Sequence, residues 1–405
     1  MNQEKLYGKE LLLWELEGCV NFFLKEANNR EDSPGYGLVR DKSVLSPEIA
    51  SIASVGYGFA ALVIGAERGM ISREEGEKRA VGAMKTFLYN MESTSGFYYH
   101  FVNLETARRE WNSEVSVIDT AIFLCGAITA GEYFGNEAAE LAEKLVSRVE
   151  WKWYTDCGAM QFYMGYKPEE GFFGHWDLFA EQLMMYVLAA GGDDYELAKK
   201  LYDAVPRNTA SFGGQEFLYS YGGALFTYQF SHAWIDFRNL ADREGIDWFE
   251  NSIRASRANR DYCIGMKEKF RTFGENAWGT TACVGPRGYS GAYGAKPAVT
   301  DVDELNDGTI PPCGAAGSVV FTPEESIRAL EYMYNTYPKL RCEYGFRDAY
   351  NLDGEAEWYA EECIGIDKGI SLVMIENYLS GLIWKCFMKN ERVKKGLKRL
   401  GFERV

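Results

Sequence analysis

Three acidic side chains stand on helix faces that are otherwise apolar, where an ionised carboxylate without a partner costs several kcal/mol. Glu181 lies in Trp176-Asp177-Leu178-Phe179-Ala180-Glu181-Gln182-Leu183-Met184-Met185-Tyr186-Val187-Leu188, with Asp177, Leu178, Met184 and Met185 as its neighbours at helical spacing. Asp119 has Val115, Ser116, Ile122 and Phe123 in the same relation, and Asp367 precedes the apolar stretch 369–378. Two carboxyls facing one another across a pocket can divide acid and base work, one held protonated by burial and one ionised to activate water. Structural readings stand beside this one. Asp367 can cap a helix, Asp119 can pair with a buried Arg or Lys, and Glu181 can belong to a buried ion pair.

Aromatic content points the same way. Trp, Tyr and Phe make up 15% of the chain, and sugar rings present apolar faces that stack on such side chains while their hydroxyls need polar partners. The same figure also suits a large helical core. Other chemistries lack their usual anchors. His100, His175 and His232 are isolated, and neither Cys-x-x-Cys nor His-Glu-x-x-His spacing occurs, so no metal site is expected. There is no Walker loop, no Gly-x-Ser-x-Gly elbow and no dinucleotide fingerprint, and no cofactor is expected.

The elements that must hold these carboxyls are helices. Apolar periodicity predicts them over 6–25, 47–67, 72–91, 115–134, 137–148, 178–190, 195–205, 225–239, 247–269, 323–336 and 368–388. Small residues Ala50, Ala53, Gly56, Gly58, Ala60 and Ala61 suit close packing in the second. Ser72 and Glu75 have the spacing of a capping box, and Asp247 and Thr322 read as N-caps. Strand signals are short, over 96–102 and 160–163, and predict small hairpins. The segment 271–320 holds nine glycines and four prolines with Trp278, Tyr289 and Tyr293 between them. It reads as a structured wall of a site, the alternative being a linker. About a dozen helices with long loops on one side predict an all-α toroid of inner and outer helices, with an irregular solenoid as runner-up.

The 405 residues carry 43 Lys plus Arg against 59 Asp plus Glu, a formal charge of -16. Such a surface repels phosphate backbones and anionic lipid, so neither nucleic acid nor a membrane is expected as partner. Apolar runs near 59–66 and 121–130 fall short of the roughly 18 to 20 residues that span a bilayer. Met1-Asn2-Gln3-Glu4-Lys5 leads into Leu11-Leu12-Leu13-Trp14 with Glu15 and Glu17 following, which does not read as an export signal. Nine scattered cysteines suit reduced thiols, and a cytoplasmic protein is expected. Length alone allows two domains or one closed toroid.

Several segments together resemble a known family. Tyr344-Gly345-Phe346-Arg347-Asp348-Ala349-Tyr350-Asn351, Trp358-Tyr359-Ala360-Glu361-Glu362, Gly365-Ile366-Asp367-Lys368-Gly369 and Met374-Ile375-Glu376-Asn377-Tyr378 resemble the signature of the glycoamylase-like domain of glycoside hydrolase family 144, the β-1,2-glucanases. Upstream, Phe230-Ser231-His232-Ala233-Trp234-Ile235-Asp236-Phe237-Arg238, Trp278-Gly279-Thr280-Thr281-Ala282, Gly96-Phe97-Tyr98-Tyr99-His100-Phe101 and Ser116-Val117-Ile118-Asp119-Thr120-Ala121 extend the likeness over almost the whole chain. Gly369-Ile370 and Cys283-Val284-Gly285 depart from it, where Gly-Pro and an acidic residue after the cysteine are usual.

The resemblance implies one (α/α)6 barrel over residues 1–405 and inverting cleavage of β-1,2-glucan or its oligosaccharides. It implies Glu181 as a general acid acting through a substrate hydroxyl, and Asp367 as the residue that activates water. Inversion requires carboxyls about 6.5 to 9.5 Å apart, and a relayed acid stretches that spacing. Asp119, His232, Trp234, Arg238, Trp278 and Glu361 become expected substrate-binding residues, with His232 and Trp234 equally readable as core. Related cyclisation domains pass the sugar to another sugar, so hydrolysis, transfer and simple glucan binding stay open. Oligomeric state is unread.

Overall fold

The structure, a computed structural model, describes residues 5–405. The opening Met1–Glu4, on which part of the export reading rests, lies outside the described residues. Fifteen helices occur among them. They are α1 Gly8–Lys25, α2 Ile52–Glu67, α3 Arg73–Tyr89, α4 Val117–Phe134, α5 Asn136–Ser147, α6 Leu183–Ala190, α7 Tyr195–Ala204, α8 Phe230–Trp234, α9 Trp248–Gly265, α10 Val302–Leu305, α11 Pro312–Gly317, α12 Pro323–Thr336, α13 Gly365–Leu379, α14 Leu382–Phe387 and α15 Glu391–Leu400. The protein is helix-rich, as expected of an all-α chain, and its strands are short.

Burial sorts the helices into two kinds. Helices α2, α4, α6, α8, α11 and the first three turns of α13 are buried nearly all round. Helices α1, α3, α5, α7, α9 and α12 bury one face only. Among the buried set α2 packs on α4, α4 on α6, α6 on α8, α11 on α13 and α13 back on α2. The one-faced helices lie outside: α1 on α2 and α13, α3 on α2 and α4, α5 on α4, α7 on α6, and α12 on α11. The main apolar core draws on residues from Leu11 to Phe402.

Glycine sets the closest approach. A Cβ on Gly126 would meet the Gly56 carbonyl oxygen at 2.0 Å, and one on Gly56 would meet the Ile122 carbonyl oxygen at 2.6 Å. The small-residue face anticipated in α2 is therefore a backbone-to-backbone contact with α4. Helix α4 is also long and apolar enough to cross a membrane by length and composition, contrary to the expectation that no stretch reaches that size, but 83% of it is buried inside the protein.

Helix ends differ from the periodicity. Asp247 accepts from Glu250 N and Ser72 from Glu75 N, as expected. The Glu75 carboxylate turns to Arg79 instead of closing the box, and Thr322 makes no side-chain cap. The stretch 368–388 is two helices, because Gly381 at φ +71 ends α13 and starts α14. The stretch 225–239 shrinks to a turn of 3-10 helix and the five residues of α8. Helices α10, α11 and α15 were not anticipated; α10 and α11 are too short for a period to show.

The expected hairpins are instead joined. Ser93–Thr94, Phe97–Tyr99, Val115–Ser116, Gln161–Lys167, Thr155–Asp156 and Gly171–His175 form one six-stranded antiparallel sheet. Tyr98 lies opposite Ser116, and Val115 opposite Tyr166. The strand Val115–Ser116 runs directly into α4, and Gly171–His175 leads toward the turn that holds Glu181, so the sheet fixes two of the three carboxyls.

Candidate active site

All three carboxyls picked out by burial stand at the N-terminal ends of buried helices. Asp119 is the third residue of α4 and Asp367 the third of α13, while Glu181 sits in the turn two residues before α6. Glu181 is therefore not mid-helix as its spacing suggested. Gln182 builds that turn: its Oε1 accepts from Ala180 N at 2.7 Å and its Nε2 donates to Leu178 O at 2.7 Å. The Ser231 hydroxyl of α8 donates to the Glu181 carbonyl. Asp367 is not the cap of α13, since Ile364 occupies that position.

The three meet in one cavity of about 480 Å³, within the range of small-molecule sites. Asp41, Lys42, His100 and the aromatic rings of Phe101, Trp111, Phe226, Phe230 and Tyr289 complete most of its wall. Trp111 and Tyr289 are 54% and 56% exposed, with Phe101 against the Trp111 ring and Lys42 Nζ over the Tyr289 ring, and their exposed aromatic surface suits an apolar sugar face. Trp111 has φ +52, a strained conformation for a bulky residue and one that clusters at functional sites. Tyr289 and Ala282 place the glycine-rich segment 271–320 in the cavity wall, as the wall reading required.

Burial raises the proton affinity of both Glu181 and Asp367. It pushes Glu181 up to about 7, with the Asp119 charge adding to the rise against a backbone hydrogen bond. Glu181 is thus a carboxyl that holds its proton near neutrality, as a general acid requires. Burial also holds Asp367 well above the usual carboxylate range, reinforced by Asp348 beside it. Burial opposes charge on His100, yet the carboxylates of Asp119 and Glu114 outweigh it and raise the imidazole to about 9. His100 Nδ1 lies 3.0 Å from Glu114 Oε1 and 3.6 Å from Asp119 Oδ2. Ser116 Oγ donates to Asp119 Oδ2 at 2.5 Å. Asp119 therefore has a cationic partner, but it is a histidine from the strand end and not the expected Arg or Lys.

His100, Glu114 and Asp119 also form the one group among the described residues whose ligand atoms lie close enough, within 4.8 Å of one another, to hold a metal ion. An imidazolium hydrogen-bonded to Glu114 with Asp119 in ion-pair range accounts for the cluster as an ion-paired triad.

Five of the expected substrate-binding residues are not brought to the cavity. His232 is buried, with Nε2 at 3.0 Å from Ser252 Oγ, and desolvation lowers it to about 3, so it is neutral core. Trp234 is fully buried and stacks on Tyr57 with centroids 5.3 Å apart. Trp278 is fully buried as well. Arg238 forks onto Asp236 with two contacts of 2.7 Å, lies over the Trp384 ring, and faces a different depression. Glu361 is exposed, and its carbonyl accepts from Arg347. These residues fall in segments that carry the family likeness, but the likeness does not say which way a side chain points. Conversely Asp41, Lys42 and Trp111 lie outside helices and named strands, and Tyr289 lies on the short strand Gly288–Ser290, where no periodicity marks them; of the four only Tyr289, noted in the glycine-rich segment, gave a signal.

Fold and site together define a helical protein whose buried helices aim their N-terminal carboxyls into one aromatic-walled cavity. The chain belongs to the glycoamylase family: residues 174–391, more than half its length, match that family's model, described as "Putative glucoamylase". It is 27% identical over 407 residues, 91% of its own length, to an exo β-1,2-glucooligosaccharide sophorohydrolase (non-reducing end) of Parabacteroides distasonis, and spans 55% of that relative. Among solved structures it is similar to the endo-β-1,2-glucanase of Chitinophaga pinensis in complex with sophorotriose and glucose, at 27% identity, TM-score 0.86 and coverage of 98% of this chain and 99% of that one. The endo-β-1,2-glucanase of Talaromyces funiculosus, 14% identical with TM-score 0.67 over 97% and 92% of the two chains, shares the fold.

Proposed function

We propose that the protein is a glycoside hydrolase of family 144 type that cleaves β-1,2-linked glucan or gluco-oligosaccharides with inversion, Glu181 serving as general acid and Asp367 as the group that activates water. The observation that carries the proposal is the meeting of Glu181, protonated near pH 7, and Asp367 in one cavity with exposed aromatic faces. Asp119, held by Ser116 and His100, supplies negative charge beside Glu181 and lifts its proton affinity. Trp111 and Tyr289 are assigned as stacking surfaces and Lys42 as a hydroxyl ligand. The substrate class rests on relatives that act on β-1,2-linked glucose, one of them solved with sophorotriose. The alternation of buried and one-faced helices supports an (α/α)6 barrel formed by a single domain. A cytoplasmic site of action belongs to the same proposal, supported by an odd number of cysteines with mostly buried thiols.

Chromatography of products from linear β-1,2-glucan and its short oligosaccharides, followed over time, tests the assignment. New reducing ends appearing with inverted configuration by NMR are expected. Consumption of no β-1,2-linked substrate at any length overturns it, and longer or cyclic products with retained configuration replace hydrolysis by transfer.

A further inference from the structure

The group next to Asp367 that is absent from the cavity wall is Asp348. It lies in the loop between Gly345–Phe346 and Tyr350–Asn351, is 3% exposed, and approaches the Asp367 carboxyl within hydrogen-bonding reach. Asp348 Oδ2 accepts from Val284 N at 2.7 Å, a backbone donor of the glycine-rich wall. Its other oxygen, Oδ1, is buried without a donor, and so is Asp367 Oδ2. Two touching buried carboxylates, each with an orphaned acceptor, are not a tenable pair when both are ionised. The nearby ammonium of Lys368 favours an ionised Asp348 only through space, because its Nζ is hydrogen-bonded to Glu15 Oε1 at 2.8 Å. One proton held between the two carboxyls removes the like-charge clash.

We propose that Asp348 and Asp367 are a carboxyl pair holding one shared proton, with Asp348 the positioning residue that receives this proton when Asp367 takes another from the attacking water. The inference rests on the reading of Asp367 as the water-activating group. In the reaction the water oxygen bonds to the anomeric carbon as the glycosidic C–O bond breaks. The water proton goes to Asp367, the shared proton moves onto Asp348, and Glu181 delivers its proton toward the leaving oxygen. The pair starts with one negative charge and ends neutral, while Glu181 starts neutral and ends ionised. The directions of ionisation agree: burial lifts Asp348 to about 6 and holds Asp367 higher still. The surrounding titratable groups are Asp41 and Glu362, the thiols of Cys283 and Cys313, the phenols of Tyr57 and Tyr289, and Lys368. Cys313 also makes a hydrogen bond with Asp367.

The test compares Asp348→Asn, Asp348→Ala and Asp367→Asn with the wild type, each checked for an unchanged melting profile. The Asp348→Asn amide keeps the shape and the Val284 bond but donates more weakly to Asp367 than a carboxyl does. The acid limb of kcat/KM in that variant is expected to move up by about one pH unit, the order of the difference between those donors. Asp348→Ala, which removes the donor altogether, is expected to lose about 100-fold in kcat with KM little changed, and the asparagine variant to recover part of that loss. An acid limb that stays put or moves down marks Asp348 as a like-charged neighbour only and overturns the proposal. A second readout needs no activity: carboxyl-carbon NMR of aspartate-labelled protein is expected to show the two groups titrating together in two steps, and Asp367 alone in one step in Asp348→Asn. Independent one-step titrations in the wild type overturn the pair. Asp367→Asn separates the two ideas, since retention of full activity there removes the base assignment itself, whatever the NMR shows.

Discussion

As the proposed general acid Glu181 needs its proton, which burial holds up to about pH 7. The catalytic rate is therefore expected to fall as pH rises past that value, and the Glu181→Gln enzyme to retain no such limb while losing about 10²- to 10⁴-fold in kcat. The same shift acts on the fold. The native state binds this proton more tightly than the unfolded chain, so its stabilising effect is full below the ordinary glutamate value and is lost as pH rises through about 7. Melting of wild type and variant across that window measures it. For His100, raised to about 9 from 6.5, stability from the charged form is full below 6.5 and disappears through about 9. Imidazole NMR is expected to show that late titration in the wild type and an earlier one in Asp119→Asn. These carboxyls were legible in the sequence because an acid on an apolar face breaks a rule of composition. The histidine pairing was not, because it joins a strand end to a helix start across a sheet whose register no local pattern reveals.

At the scale of elements, the α2–α4 contact depends on two glycines that leave no room for a methyl. Gly126→Ala is expected to cost about 1–3 kcal/mol by overpacking, whereas Gly265→Ala, with no atom within 4 Å of the added carbon, is expected to stay within about 1 kcal/mol. Chemical denaturation of both variants checks the contrast. Long helices such as α1, α3, α5 and α12 were readable from periodicity because one face meets water. The buried helices were harder. When every face is apolar the period vanishes, and α8 and α11 are held by tertiary packing in lengths too short to be stable alone. The start of α6 was misplaced for a related reason: Phe179 is apolar because it is buried, not because it is helical.

At the scale of the molecule, the -16 charge faces a proposed substrate that carries none. Steering by the whole field then has nothing to act on, and kcat/KM is expected to change less than about two-fold between low and moderate salt. A steep dependence in steady-state kinetics would point to a charged substrate instead. The cavity draws on residues from Asp41 to Asp367, and Glu15 on α1 anchors Lys368, the neighbour of Asp367, across 353 positions of sequence. That anchor is buried on both sides, with Glu15 Oε2 also accepting from Phe346 N at 2.7 Å. During synthesis the first helix therefore leaves the ribosome with an acid whose partner does not yet exist. A nascent chain halted before residue 367 lacks both the Asp367 carboxyl and the ammonium for Glu15, so the site can come into being only after both have been made.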